Sequence, residues 1–109
     1  MADLLGTFEQ AVLLTVWKLR ADAYGRAVLR GVQSALAREI AAGAVYATLD
    51  RLEQKNLIAS RVAAGTEVRA GRPRRYYHVT GAGIQALNES KAALEQVWHG
   101  AKWPLESKA

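Results

Sequence analysis

Apolar side chains recur along most of the chain at the three-to-four-residue interval of helices, and only one stretch, around residues 57–80, reads differently. Thr7-x-x-Gln10 matches a capping box, so a first helix is expected over about residues 7–20. At about 100° per residue, Phe8, Val12, Val16 and Leu19 form one stripe, whereas Leu13, Leu14 and Trp17 fall on the side or back. That second apolar surface needs cover, either from another helix of the same chain or from a second subunit. Asp22 and Ala23 lead into a second helix over about 24–38, with Val28, Leu29, Val32, Ala35 and Leu36 inward and Arg26, Arg30 and Gln33 outward. A third helix is expected over about 43–55, with Val45, Leu49 and Leu52 as its core stripe. Asn56 then ends it, because Asn ranks next to Gly in tolerating the left-handed conformation that closes helices.

After Asn56 the pattern changes. Residues 57–63 read as a strand, the Gly-containing segment around Gly71 as a long tip, and residues 74–80 as a returning strand with two adjacent tyrosines. Thr80 can cap a final helix over about 81–99, in which Ile84, Leu87, Lys91, Leu94 and Trp98 keep the 3-4-3-4 spacing of a heptad seam. Two heptads are too short for a free-standing coiled coil but long enough for one side of a helical dimer interface. The expected fold is mainly α with a small β-hairpin: a winged helix-turn-helix over 1–80, a dimerisation helix over 81–100 and a tail over 101–109.

Composition narrows the chemistry. Half of the residues are hydrophobic, but 21 of these are alanine, which favours helices over a β-sandwich. With 109 residues, one small domain is the ceiling, and its core is thin enough that a partner subunit would help. Zero cysteines exclude disulfide scaffolds and thiolate metal sites, and His78 and His99 lack ligand spacing, so no metal or cofactor is expected. The acidic start, without a small-residue cleavage site, and the absence of an apolar run near the ~18 residues of a membrane span point to a cytoplasmic protein.

The formal charge is +5, and it is unevenly placed. Residues 1–59 carry seven basic and six acidic side chains, and residues 79–109 three of each. Residues 60–78 hold five arginines against Glu67 alone. A basic stripe confined to one hairpin, directly after a helix-turn-helix, is the footprint of phosphate binding. In that architecture the third helix enters the major groove and the hairpin lies along the backbone or minor groove.

The third helix presents Ala44, Ala47, Asp50, Arg51, Gln54 and Lys55, with Tyr46 and Thr48 at the edges of its core stripe. Arg51 stands out for a base or phosphate contact, the alternative being a solvated arginine paired on its own helix. On the hairpin, Arg69, Arg72, Arg74 and Arg75 set planar charged forks beside Tyr76. Gly81-Ala-Gly83-x-x-Ala86 formally matches a dinucleotide fingerprint, but no second parallel strand follows, so it reads as a helix start. His78 has no Ser or Asp neighbour implied by spacing, and no catalytic set is expected.

Two ordered motifs, Gly43-Ala-Val-Tyr46-Ala-Thr48-Leu49-Asp-Arg51-Leu52-Glu-Gln-Lys55-Asn-Leu57 and Gly71-Arg-Pro-Arg-Arg-Tyr-Tyr77-His-Val-Thr80-x-x-Gly83, resemble the PadR family of bacterial transcriptional regulators. Ala23-Tyr24-Gly25 also resembles the family's second-helix start, and the likeness covers about residues 4–100. The short C-terminal region resembles the compact subfamily with a single dimerising helix. The resemblance implies a homodimeric repressor on a palindromic double-stranded DNA operator, the final helix packing against the partner's first helix. It assigns Tyr46, Thr48 and Arg51 to the recognition helix and Arg72, Arg74, Arg75 and Tyr76 to the wing. It also implies small aromatic effectors near the dimer interface, where Leu13, Leu14, Trp17, Leu94 and Trp98 would line either a pocket or a dry core.

The sequence departs from the family pattern at Ala41 and Ala42, where a capping Ser or Thr is common, at Asn56 for Gly, and at Gly81-Ala82 for Pro-Glu. A reading from a different class, an effector-sensing or protein-interaction module whose hairpin meets an acidic partner, stays open on sequence grounds.

Overall fold

The computed structural model describes residues 4–63, 68–69 and 72–107. The chain forms four α-helices, α1 (Thr7–Leu19), α2 (Gly25–Leu36), α3 (Ala42–Gln54) and α4 (Gly81–Trp98), and, between α3 and α4, a hairpin of four strands, β1 (Ile58–Val62), β2 (Val68–Arg69), β3 (Arg72–Pro73) and β4 (Arg75–Val79). A 3-10 turn, Arg20–Asp22, joins the first two helices.

Helix α1 is the hub, touching α2, α3, α4 and β4. Val12, Leu13 and Val16 on α1, Val28 and Val32 on α2, Val45, Leu49 and Leu52 on α3, and Ile58 on β1 lose essentially all contact with water. Leu13 therefore does not share the exposed surface of Leu14 and Trp17, with which its spacing grouped it. Because α1 is covered on several sides, its buried arc is wider than the single stripe the pattern marked. Ala35, expected inward, is exposed, one residue before α2 ends at Leu36.

The start of α1 differs by one residue from its sequence signature. Gly6, not Thr7, is the N-cap, and the Glu9 carboxylate accepts the Gly6 N–H at 3.4 Å. Gln10 instead reaches back, its side-chain N–H donating to the Leu5 carbonyl at 2.9 Å. The N-cap of α3 is Ala41, which offers no side-chain cap, consistent with the missing Ser or Thr. Its end follows expectation, as Asn56 takes a φ of 63° and turns the chain into β1.

Strands β1 and β4 pair antiparallel in the register Ile58↔Val79, Ser60↔Tyr77 and Val62↔Arg75. The segment expected as a plain loop holds a further short ladder, Val68↔Pro73 and Arg69↔Arg72. On the other side, Tyr24 forms a β-bridge with Tyr76, and the Tyr77 N–H donates to the Ala23 carbonyl at 2.8 Å. The hairpin is thus stitched to the α1–α2 connection, which fixes its root against the helical body.

Thr80 caps α4 as expected, its Oγ1 accepting the Gly83 N–H at 3.1 Å while its hydroxyl donates to the Asn56 carbonyl at 2.7 Å. The cap brings the first turn of α4 against the start of β1, and a Cβ at Gly83 would collide with the Leu57 carbonyl oxygen and with Val79. The glycine of the dinucleotide-like motif is thus required by helix–strand packing. Gly83→Ala should lower stability by about 1–3 kcal/mol through overpacking. Urea unfolding at fixed protein concentration checks it; a midpoint equal to that of the parent would contradict the close approach.

Candidate nucleic-acid interface

Helix α3 turns its apolar stripe inward, so its opposite face is free. Ala44, Ala47, Asp50, Arg51 and Gln54 are exposed, and the Tyr46 ring lies over Gly25 at the start of α2. Two small residues, Ala44 and Ala47, let another surface approach the helix axis closely. Thr48 departs from its expected place: it is 2% exposed, so its hydroxyl cannot reach a groove. It accepts a hydrogen bond from Arg51 Nη2 at 3.2 Å instead. The reason is geometric, since Thr48 lies beside Leu49 and one turn from Val45 and Leu52, inside the arc that packs on α1.

Arg51 is half exposed and does not pair on its own helix with an acid. Its Nε lies 3.6 Å from Glu9 Oε2 of α1, and Lys55 Nζ donates to the same oxygen at 3.0 Å. Partial burial alone would push the Glu9 carboxyl up. The hydrogen bonds from Lys55 and the Gly6 N–H, with the charges of Lys55 and Arg51, outweigh that and hold it below the usual carboxylate range.

At the wing root, cations and rings alternate. The Arg74 guanidinium lies 3.9 Å from the centre of the Tyr24 ring, Tyr24 meets Tyr76 edge-on at 5.8 Å, and Arg61 lies 4.9 Å from Tyr76. A hydrogen bond with Tyr76 raises the Arg74 pKa, against slight desolvation. Arg75 Nη1 donates to Ser60 Oγ at 2.9 Å, and the Ser60 hydroxyl donates to Glu53 Oε2 at 2.7 Å, linking β4, β1 and α3. Burial pushes the Tyr77 phenol up, opposed by Arg75 and reinforced by Asp50, Glu53 and Tyr46. Arg69 and Arg72 face each other across the outer ladder, and their side chains, like Gly71, lie outside what the structure describes.

Between α2, α3 and the wing root runs a groove of about 1080 Å³. Arg26 and Arg30 of α2 line it together with Arg74 and Arg75 of the wing root and the rings of Tyr24 and Tyr46. No carboxylate lines it among the described residues. The helical pattern turns Arg26 and Arg30 outward, and the groove is where they come to lie. The signal was present, because α2 carries two arginines four residues apart and no acid.

The interface candidates divide. Leu14, Trp17, Ile84, Leu94 and Trp98 are exposed, Leu87 is half buried on the core, and Leu13 is enclosed. Arg20 stacks over the Trp17 ring at 4.0 Å. The groove and a smaller cavity of about 320 Å³ at Leu5, Lys55, Leu57 and Ala86 are both lined by other residues.

Three helices followed by a hairpin wing and a further long helix define a winged helix-turn-helix protein. The model of the PadR-like family of transcriptional regulators matches residues 13–89, and the chain belongs to that family. It is a transcriptional regulator and not an enzyme. A PadR-like transcription factor from Bacteroides fragilis is 26% identical with a TM-score of 0.72, over 86% of this chain and 85% of that one. A PadR family regulator from Eggerthella lenta is 31% identical with a TM-score of 0.67, over 89% and 82%. A third, from Clostridium difficile, is 26% identical with a TM-score of 0.66, over 86% and 96%. No curated protein sequence matches the chain.

Proposed function

We infer that this regulator is a homodimeric, sequence-specific repressor that binds a palindromic operator in double-stranded DNA in the cytoplasm. The observation that carries the reading is the arginine-walled groove beside the exposed face of α3. Residues 1–80 form the DNA-binding unit, residues 81–100 the dimerisation helix and residues 101–109 a tail. Helix α3 lies in the major groove, where Ala47 approaches base methyl groups and Tyr46 and Arg51 contact base edges or phosphates. Arg74, Arg75 and Tyr76, continued outward by Arg69 and Arg72, hold the backbone or minor groove. Arg26 and Arg30 join them from α2, so that one strand's phosphates are held from both sides.

Dimerisation is supported by the far half of α4, where Leu94, Val97 and Trp98 are exposed beyond the helix's last buried residue, Ser90. Leu14 and Trp17 of a second copy offer an apolar counterpart on α1. We assign this surface to a dry interface, since Arg20 already covers one face of Trp17.

Binding to a duplex selected from a random pool should weaken with salt by about 0.9 log units per neutralised phosphate per log unit of salt. Fluorescence anisotropy across a salt series measures the slope. Affinity independent of salt, or the absence of any selected duplex, would overturn the reading.

A further inference from the structure

One carboxylate of α1 is committed to the recognition helix. Glu9 has only 17% of its side chain exposed, and it faces three groups: the Gly6 N–H, Lys55 Nζ at 3.0 Å and Arg51 Nε at 3.6 Å. The Arg51 guanidinium is held at a second point, because its Nη2 donates to the enclosed Thr48 hydroxyl. A hydrogen bond at Nη2 and an ion pair beside Nε act on different atoms of a planar fork, so they restrict its orientation as well as its position. An arginine has five N–H donors, and of its three nitrogens Nη2 donates to Thr48 and Nε lies within ion-pair distance of Glu9, so Nη1 takes part in neither contact. Arg51 is half exposed and stands on the same outward stripe as Ala44 and Ala47.

We propose that Glu9 is a positioning residue for sequence discrimination: with Thr48 it pre-aims Arg51 so that the free edge of the guanidinium meets a base in the major groove. The inference rests on the DNA-binding reading above. Its physical basis is that an exposed arginine loses rotamer freedom when it docks on a base, and a side chain already held in place loses less. Glu9 also compensates one of the two cations beside it. Without the carboxylate, Arg51 and Lys55 would become mobile charges that favour any phosphate, so discrimination would fall while general DNA attraction would not.

The test compares a duplex selected by the parent protein with a shuffled duplex of equal length and composition, both read by anisotropy. Glu9→Gln should lower the selected-to-shuffled affinity ratio by about tenfold, the worth of one good arginine–base contact. Affinity for the shuffled duplex should stay level or rise, which also shows that the variant is folded. Thr48→Val, nearly isosteric and enclosed, removes the other anchor and should lower the ratio in the same direction. In an Arg51→Ala background, Glu9→Gln should change the ratio no further.

A ratio unchanged in both Glu9→Gln and Thr48→Val overturns the positioning role. So does a Glu9→Gln loss that persists in full without Arg51. A parent protein that fails to distinguish the two duplexes overturns the DNA reading itself.

Discussion

Replacing Arg26 and Arg30 together with alanine should weaken binding to selected and shuffled duplexes by the same factor, about tenfold or more at moderate salt, and should flatten the salt slope by about 2. The two side chains sit one helical turn apart on α2 and line the groove that the wing root also lines. Neither takes part in the apolar core, and both are exposed, so folding should be little affected. Phosphate contacts carry no base information, which is why both duplexes should suffer alike. A loss confined to the selected duplex, or a slope equal to the parent's, would show that α2 stays clear of the backbone. Arg74 and Arg75 offer a useful contrast. Both are held by contacts within the chain, Arg74 on Tyr24 and Arg75 through Ser60 to Glu53, so removing them also loosens the wing root.

On the proposed dimer, Leu94→Glu should yield monomers, read by light scattering, and reduce affinity for a selected palindrome by about a hundredfold or more. The first effect follows from placing a charge in the exposed apolar stretch of Leu94, Val97 and Trp98, where burial without a partner is costly. The second follows from avidity, because two linked half-site contacts gain a factor of about 10²–10⁴ over either one alone. The fold of each chain should persist, since Leu94 lies beyond the contacts that tie α4 to the body through Gly83, Ala86 and Ser90. Ser90 marks that boundary by accepting the Leu5 N–H at 3.0 Å. A variant that stays dimeric would remove the far half of α4 from the interface.

Much of the fold was legible because its signals are local. The stripe Val45, Leu49 and Leu52, the left-handed Asn56 and the Thr80 cap each depend on residues within one or two turns, and each stands where the pattern put it. The alternation around residues 57–80 also sufficed for the hairpin, though not for its outer ladder, whose strands are only two residues long. The cap of α1 shifted by one because Thr7 and Gly6 both allow a helix start. What decided between them was Glu9, whose other partners, Arg51 and Lys55, lie more than 40 residues away.

The sequence by itself determined the class of protein and where its charge is concentrated: helices by their period, a wing by its strands and arginines, and a family by two ordered motifs. Tertiary structure decided which of those residues are available. Thr48 went inside, Leu13 closed into the core, Arg51 was tied to α1, and Arg26 and Arg30 came to line one groove with the wing arginines. The reason is that helical spacing gives the direction of each side chain about its own axis but not what stands opposite. That second fact is set by how α1, α2 and the hairpin root pack together, through contacts far apart in the chain.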